Sequence, residues 1–222
     1  MIERGGKNEE RLYLEDYKFF RGKEEVIIKK TDMPNIEAII HRHKARYCLP
    51  AAFCRYQDVV LDFPCGSGYG YDIMGRTTLY EGLDIDAVTM EYCRKTRCNS
   101  IKTFRTMDME TPRLEKGKYN VIACIEGLEH IDGKFQAPLI AEFHNALQFC
   151  GRLIVTCPEA DGKSGPSKTN PYHKHELTMK DFKDLIGSVF DNFVVVDMED
   201  ILHNGEKSNL MYAICKRGGY ND

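Results

Sequence analysis

The run Val59-Val60-Leu61 followed at once by Asp62-Phe63-Pro64-Cys65-Gly66-Ser67-Gly68-Tyr69-Gly70 is the strongest constraint on this chain. A short apolar run that breaks into glycines at alternate positions reads as a buried β-strand ending in a tight turn and a helix start. Glycine tolerates left-handed backbone and leaves no Cβ between main chain and a bound group, so the turn predicts close approach of a small, nucleotide-type ligand. A helix starting near Ser67 or Gly68 would aim its first N–H groups at that ligand.

The remaining punctuation predicts a layered α/β domain. Strands are expected at Leu79 to Asp84, Ile101 to Phe104, Tyr119 to Ile125 and Arg152 to Cys157, with closing strands at Phe193 to Met198 and Leu210 to Cys215. Helices are expected from Asn35 to Phe53 with an interruption at Pro50, from Asp86 toward Arg97 with Asp86 as cap, from Phe135 to Phe149 and from Thr178 to Val189. Continuous apolar strands alternating with helices imply a Rossmann-like, mostly parallel sheet covered on both faces. Residues 1–40, with Pro34 as a breaker, lack periodicity and predict an irregular arm or lid on a main domain of 41–222. Pro158 to His175 is long and polar and predicts a loop at the carboxyl edge of the sheet; Gly205 predicts a polar connection between the closing strands.

Charge and cysteine usage narrow the class. Lys and Arg total 31 against 34 Asp and Glu in 222 residues, a formal charge of -3, so the chain as a whole lacks the positive field of a phosphate-gripping protein. This leaves room for a local basic strip only around Arg42, His43, Lys44 and Arg46. The nine cysteines include no Cys-x-x-Cys pair, and Cys65, Cys124, Cys150, Cys157 and Cys215 lie in or beside apolar runs, which suggests free thiols in a reducing, cytoplasmic setting. No apolar window approaches the ~18 residues of a membrane span, and Met1-Ile2-Glu3-Arg4 does not open an apolar signal segment. His173 and His175 alone are too sparse for zinc, and no metal is expected.

Asp84, at the end of the strand after the glycine turn, stands where an acid can accept hydrogen bonds from ribose hydroxyls, or can merely cap the next helix. Asp62 puts a carboxylate near the turn, which suits a cationic ligand better than a pyrophosphate.

Five blocks in order and spacing, VVLDFPCGSGYG, YEGLDIDAVTMEYCRKT, TFRTMDMETP, YNVIACIEGLEHI and GRLIVTCP, resemble the class I S-adenosylmethionine-dependent methyltransferases, in particular the small-molecule subgroup of methyltransferase type 11/23. The resemblance spans roughly Ile40 to Met198. It implies a seven-stranded sheet and S-adenosyl-L-methionine as cofactor, with Gly66 and Gly68 against the methionyl part, Asp62 near its ammonium and Asp84 on the ribose beside Ile85. It further implies Asp108 and Met109 at the adenine and Glu126 shaping the pocket; HRHKARY, similar to an upstream helix of that subgroup, brings Arg46 and Tyr47 near the methionine carboxylate.

A base is required only for a hydroxyl or protonated amine acceptor. His130 is the first choice, with Glu129 orienting it and His173 as a second candidate; a helix cap or a loop-pinning role is the plain alternative for each histidine. The expected reaction is methyl transfer to O or N of a small molecule such as a sugar, a metabolite or a lipid intermediate. Asn170-Pro171-Tyr172 is similar to the Asn/Asp-Pro-Pro-Tyr element of nucleic acid amino-methyltransferases, but it lacks the second proline and follows strand five rather than strand four, so a nucleic acid substrate ranks lower. A non-catalytic binding module and a dinucleotide oxidoreductase remain alternatives. The arm and an exposed sheet edge are compatible with a homodimer or a monomer.

Overall fold

The computed structural model describes residues 2–4, 11–31, 36–75, 79–201 and 207–218, with backbone alone at 2–4, 199–201 and 207–208. Its centre is a seven-stranded sheet built from β4 (Val59–Asp62), β5 (Leu79–Asp84), β6 (Lys102–Thr106), β7 (Tyr119–Ile125), β8 (Leu147–Pro158), β9 (Asn192–Ile201) and β10 (Lys207–Lys216). The order is β6-β5-β4-β7-β8-β10-β9, and only β10 runs antiparallel to its neighbours. The chain winds outward from β4 through β5 to β6, then returns to place β7 on the other side of β4. That reversal opens a crevice at the carboxyl ends of β4 and β7, where ligands bind in open α/β sheets.

Five helices, α1 (Ile36–Phe53), α2 (Gly70–Met74), α3 (Ala87–Thr96), α4 (Gly133–Ala146) and α5 (Met179–Gly187), complete the layers. Two buried clusters fill the two sides of the sheet. One gathers Leu61, Phe63, Ile122 and Leu153 with Leu139 and Phe143 of α4 and Phe182 and Ile186 of α5. The other gathers Val60, Tyr80, Val121 and Ile154 with Tyr47 of α1 and Val88 and Tyr92 of α3. The cap expected at Asp86 is present, its carboxylate accepting from the Val88 N–H at 2.9 Å.

Four expectations are corrected. The arm is not irregular: β1 (Ile2–Arg4), β2 (Tyr17–Arg21) and β3 (Glu24–Ile28) form a small separate sheet, ordered β1-β3-β2. Val26, Ile27 and Ile28 are all buried, so a short continuous apolar run seats this segment. Helix α1 starts at Ile36, crossing the expected boundary at residue 40, and runs through Pro50 to Phe53. The Pro50 ring is buried against the domain, which offsets the backbone bond that proline cannot make. Helix α4 stops at Ala146 rather than Phe149, because Leu147 is fully buried and pairs with Tyr119 as the first residue of β8. Cys150, at φ 61°, lies where the β7 and β8 registers shift between Tyr119 and Val121. Pro34, Asn35 and Gly205 lie outside the described residues.

Candidate active site

A cavity of about 1220 Å³ opens at the topological switch point. Its floor is the turn after β4. Gly66 takes φ +50° and a Cβ there would meet nothing within 4 Å, so the turn turns bare backbone toward open space. The Asp84 carboxylate, 2% exposed at the end of β5, holds this turn in place by accepting from Gly66 N–H at 3.1 Å and from Asp86 N–H at 2.9 Å. Ile85, 60% exposed, forms the adjoining apolar wall, and Asp108 and Met109 follow β6 on the same side. Asp108 also fixes its own turn, accepting from Glu110 N–H at 2.9 Å.

Asp62 does not stand where the sequence placed it. It is fully buried and absent from the cavity wall, with its carboxylate accepting from Tyr80 Oη at 2.6 Å and Tyr47 Oη at 3.2 Å. Burial raises its pKa to about 7, against the lowering effect of the two tyrosine hydroxyls. The expected place near a ligand ammonium, directly or through water, is thus not at the cavity wall: Asp62 fastens the back of the turn to α1 and β5. Gly68 is also behind the wall, at φ +76°, where a Cβ would lie 2.8 Å from the Phe104 ring.

The helix α1 side is set by Arg46, Tyr47 and His43. Arg46 is buried and its Nη1 lies 3.3 Å from Glu126 Oε2, while Glu126 Oε1 accepts from Thr156 Oγ1 at 2.8 Å. Glu126 itself has φ 49°, the left-handed bend by which the chain leaves β7. Burial, Arg46 and Arg42 lower the His43 pKa to about 3, so this imidazole is neutral and the stretch is a partly buried wall rather than an exposed basic strip.

At the far end of the cavity stand Glu129 and His130, in the single 3-10 turn Leu128–His130 after β7. Glu129 is 1% exposed. The long segment after β8 folds back over them, tied by His175 N–H to the Glu129 carbonyl at 3.1 Å and by Gln136 Nε2 to the Leu128 and His175 carbonyls. His173 reaches His130, ring centroids 5.0 Å apart and nearly perpendicular. His175, two residues on beyond a bend at Lys174, turns the other way to Gln136 and packs on Gly133. The Asn170-Pro171-Tyr172 stretch lines this same end, with the Tyr172 carbonyl 3.1 Å from His130 Nδ1.

Residues 60–151 match the family model described as a methyltransferase domain. That stretch is a methyltransferase domain, and the fold around it is shared with solved methyltransferases. The chain is an enzyme of the methyltransferase class. The same fold is found in an S-adenosylmethionine-dependent methyltransferase of Mesorhizobium loti, at TM-score 0.62 and 14% identity over 78% of this chain and 98% of that one. A geranyl diphosphate methyltransferase in complex with S-adenosylmethionine aligns at TM-score 0.64 and 16% identity, over 81% and 88%. An N-methyltransferase of Haemonchus contortus in complex with phosphomonomethylethanolamine and S-adenosylhomocysteine aligns at 0.61 and 13%, over 77% and 53%. No curated protein matches the chain by sequence.

Sequence reasoning missed one participant of this methyltransferase site with a direct bearing on its cofactor side. Arg11, from the arm, donates from Nη2 to Asp84 Oδ1, and its Nε lies 3.2 Å from Asp86 Oδ2. The neighbouring Leu12 carbonyl accepts from Ser67 Oγ at 2.6 Å, and Tyr13 Oη lies 2.5 Å from Thr89 Oγ1. No local signal marks Arg11, since its partners are more than 70 residues away and the arm shows no spacing that points to them.

Proposed function

We propose that this methyltransferase transfers its methyl group to an O or N atom of a small-molecule acceptor in the cytoplasm. The observation that carries the proposal is the volume of the cavity: about 1220 Å³ exceeds the ~300–1,000 Å³ of typical small-ligand pockets, leaving room for a cofactor and a compact second molecule together. Two of the solved methyltransferases above, the geranyl diphosphate enzyme and the one that holds phosphomonomethylethanolamine, support the same class. Among the described residues no helix is long and apolar enough to cross a membrane.

The residues divide by position along the cavity. Gly66 presents backbone to the methionyl part, Asp84 with Ile85 takes the ribose, and Asp108 with Met109 takes the adenine. Arg46, held by Glu126, and Tyr47 face the methionine end, and Gly68 and Asp62 act behind the turn. S-adenosylmethionine supplies an activated methyl on a sulfonium leaving group, so the protein's part is chiefly placement, worth about 7–11 kcal/mol in the best-oriented systems. Glu129, His130 and His173 receive the acceptor and assist loss of its proton. His130→Gln should lower turnover at least ~100-fold, the lower range of general acid–base effects, with S-adenosylhomocysteine affinity unchanged. Wild-type turnover of any accepted substrate by this variant, across pH 6 to ~9, would reject the assignment.

Arg11 bears on cofactor entry. Its guanidinium occupies the Asp84 oxygen that the ribose needs, so seating the ribose requires that this ion pair part. Arg11→Ala is expected to tighten S-adenosylhomocysteine binding several-fold in calorimetry. Weakened binding would show that the arm completes the site instead of competing for it.

A further inference from the structure

We propose that Glu129, His130 and His173 bind a single divalent first-row transition ion at the acceptor end of the cavity, and that the methyl acceptor is an oxygen donor which completes the ion's coordination. One donor atom from each of the three side chains lies within 4.8 Å of the other two. Inward side-chain shifts of about an ångström bring such a set to the ~2.0–2.2 Å bonds that imidazole and carboxylate make to zinc. Two imidazoles and one carboxylate form a mixed N/O set, which suits zinc, iron or manganese better than the all-oxygen shells of calcium and magnesium.

The surroundings fix the ligands as metal sites require. His130 Nδ1 lies 3.1 Å from the Tyr172 carbonyl, an acceptor only, so Nδ1 carries the proton and Nε2 presents its lone pair. That Nε2 is 3.8 Å from Glu129 Oε1. His173 Nδ1 lies 2.7 Å from Glu176 Oε1, which likewise assigns the proton to Nδ1. Each histidine is thus oriented by an outer acceptor while the buried Glu129 supplies the negative charge that favours a cation. The three side chains come from two segments, the turn after β7 and the loop after β8, and both line the cavity with its remaining face open to a further ligand.

This rests on the acceptor assignment above and gives His130 its part in proton loss as a ligand of the ion, in place of direct proton uptake at Nε2. A hydroxyl bound to the ion is acidified, as bound water is lowered from 15.7 to about 7 in zinc enzymes. It releases its proton to solvent water; the oxygen then forms a bond to the methyl carbon as the carbon–sulfur bond breaks, its electron pair going to sulfur to leave neutral S-adenosylhomocysteine.

The test measures metal binding without acceptor. Full-length protein stripped with a chelator is titrated with Co2+ and Zn2+, following the visible Co2+ spectrum, with S-adenosylhomocysteine calorimetry and circular dichroism as fold checks. One equivalent should bind with imidazole and carboxylate character and no thiolate charge-transfer band. His173→Ala should weaken it at least ~100-fold and Glu176→Gln about 10- to 100-fold, while His41→Ala, at an exposed position of α1 outside the cavity, leaves it unchanged. Cofactor affinity should persist in all of these, so a failure of the metal site is distinguishable from a failure of the methyltransferase assignment. Absence of binding to the folded wild type, a thiolate spectrum, or equal affinity in His173→Ala and Glu176→Gln would each overturn the proposal.

Discussion

Asp84→Ala should weaken S-adenosylhomocysteine binding about 100-fold. Net worth of a hydrogen bond to a charged group is about 1.5–3 kcal/mol, so losing the carboxylate's bonds to a ribose diol removes roughly 3 kcal/mol, and each 1.4 kcal/mol is a factor of ten. The same carboxylate also anchors Gly66 N–H and Asp86 N–H, so the turn loses its tether together with the ligand contact. Asp84→Asn separates the two effects, because its amide oxygen still accepts from one of these groups while the charge is gone. Unchanged affinity in Asp84→Ala, measured by calorimetry on a protein of native circular dichroism, would remove Asp84 from the cofactor site.

Gly70→Ala should cost about 3 kcal/mol of folding stability. A Cβ at Gly70 would fall 2.4 Å from Tyr47 Cε1 and 2.6 Å from Asp62 Oδ2, and neither neighbour can withdraw cheaply. Tyr47 is 3% exposed and its hydroxyl is bonded to Asp62, which is itself held by Tyr80. Overpacking of this kind costs ~1–3 kcal/mol before any buried hydrogen bond is lost, a large part of the ~5–15 kcal/mol that holds a domain together. Gly66→Ala offers the contrast. Its Cβ meets nothing, and only the left-handed backbone is penalised, by ~1–2 kcal/mol, but the methyl enters the space meant for the ligand. Urea denaturation should therefore show Gly70→Ala as the worse folder and calorimetry should show Gly66→Ala as the worse binder. A Gly70→Ala protein of wild-type stability would contradict the packing described around Asp62.

The legibility of this chain follows the range of its interactions. The strand-turn-helix at 59–74 and the cap at Asp86 rest on local chemistry, backbone freedom at Gly66 and a side chain two residues from the N–H it satisfies, and these are readable without coordinates. The continuous apolar runs at β7 and β8 likewise declare buried parallel strands. Asp62 was misplaced because a carboxylate beside glycines looks the same in sequence whether it faces a ligand or two tyrosines from α1 and β5. Arg11 was invisible for the same reason carried further: its site is set by how a small β-sheet docks on the main domain, and nothing near residue 11 encodes that. His173 and His175 illustrate the limit at short range. One residue separates the pair, and an extended chain would put both rings on one face, but the bend at Lys174 sends one to His130 and the other to Gln136. The grouping of Glu129, His130 and His173 thus depends on a loop closure over the turn after β7, made by bonds between His175 and Glu129 and through Gln136.

Calorimetric titration of the wild-type protein with S-adenosylhomocysteine, with NAD as the control, is the most direct test of the cofactor site. One-site binding of S-adenosylhomocysteine in the micromolar range with no heat from NAD is the predicted result. A folded protein that ignores S-adenosylhomocysteine, or one that binds NAD in its place, would contradict the account built on Gly66 and Asp84.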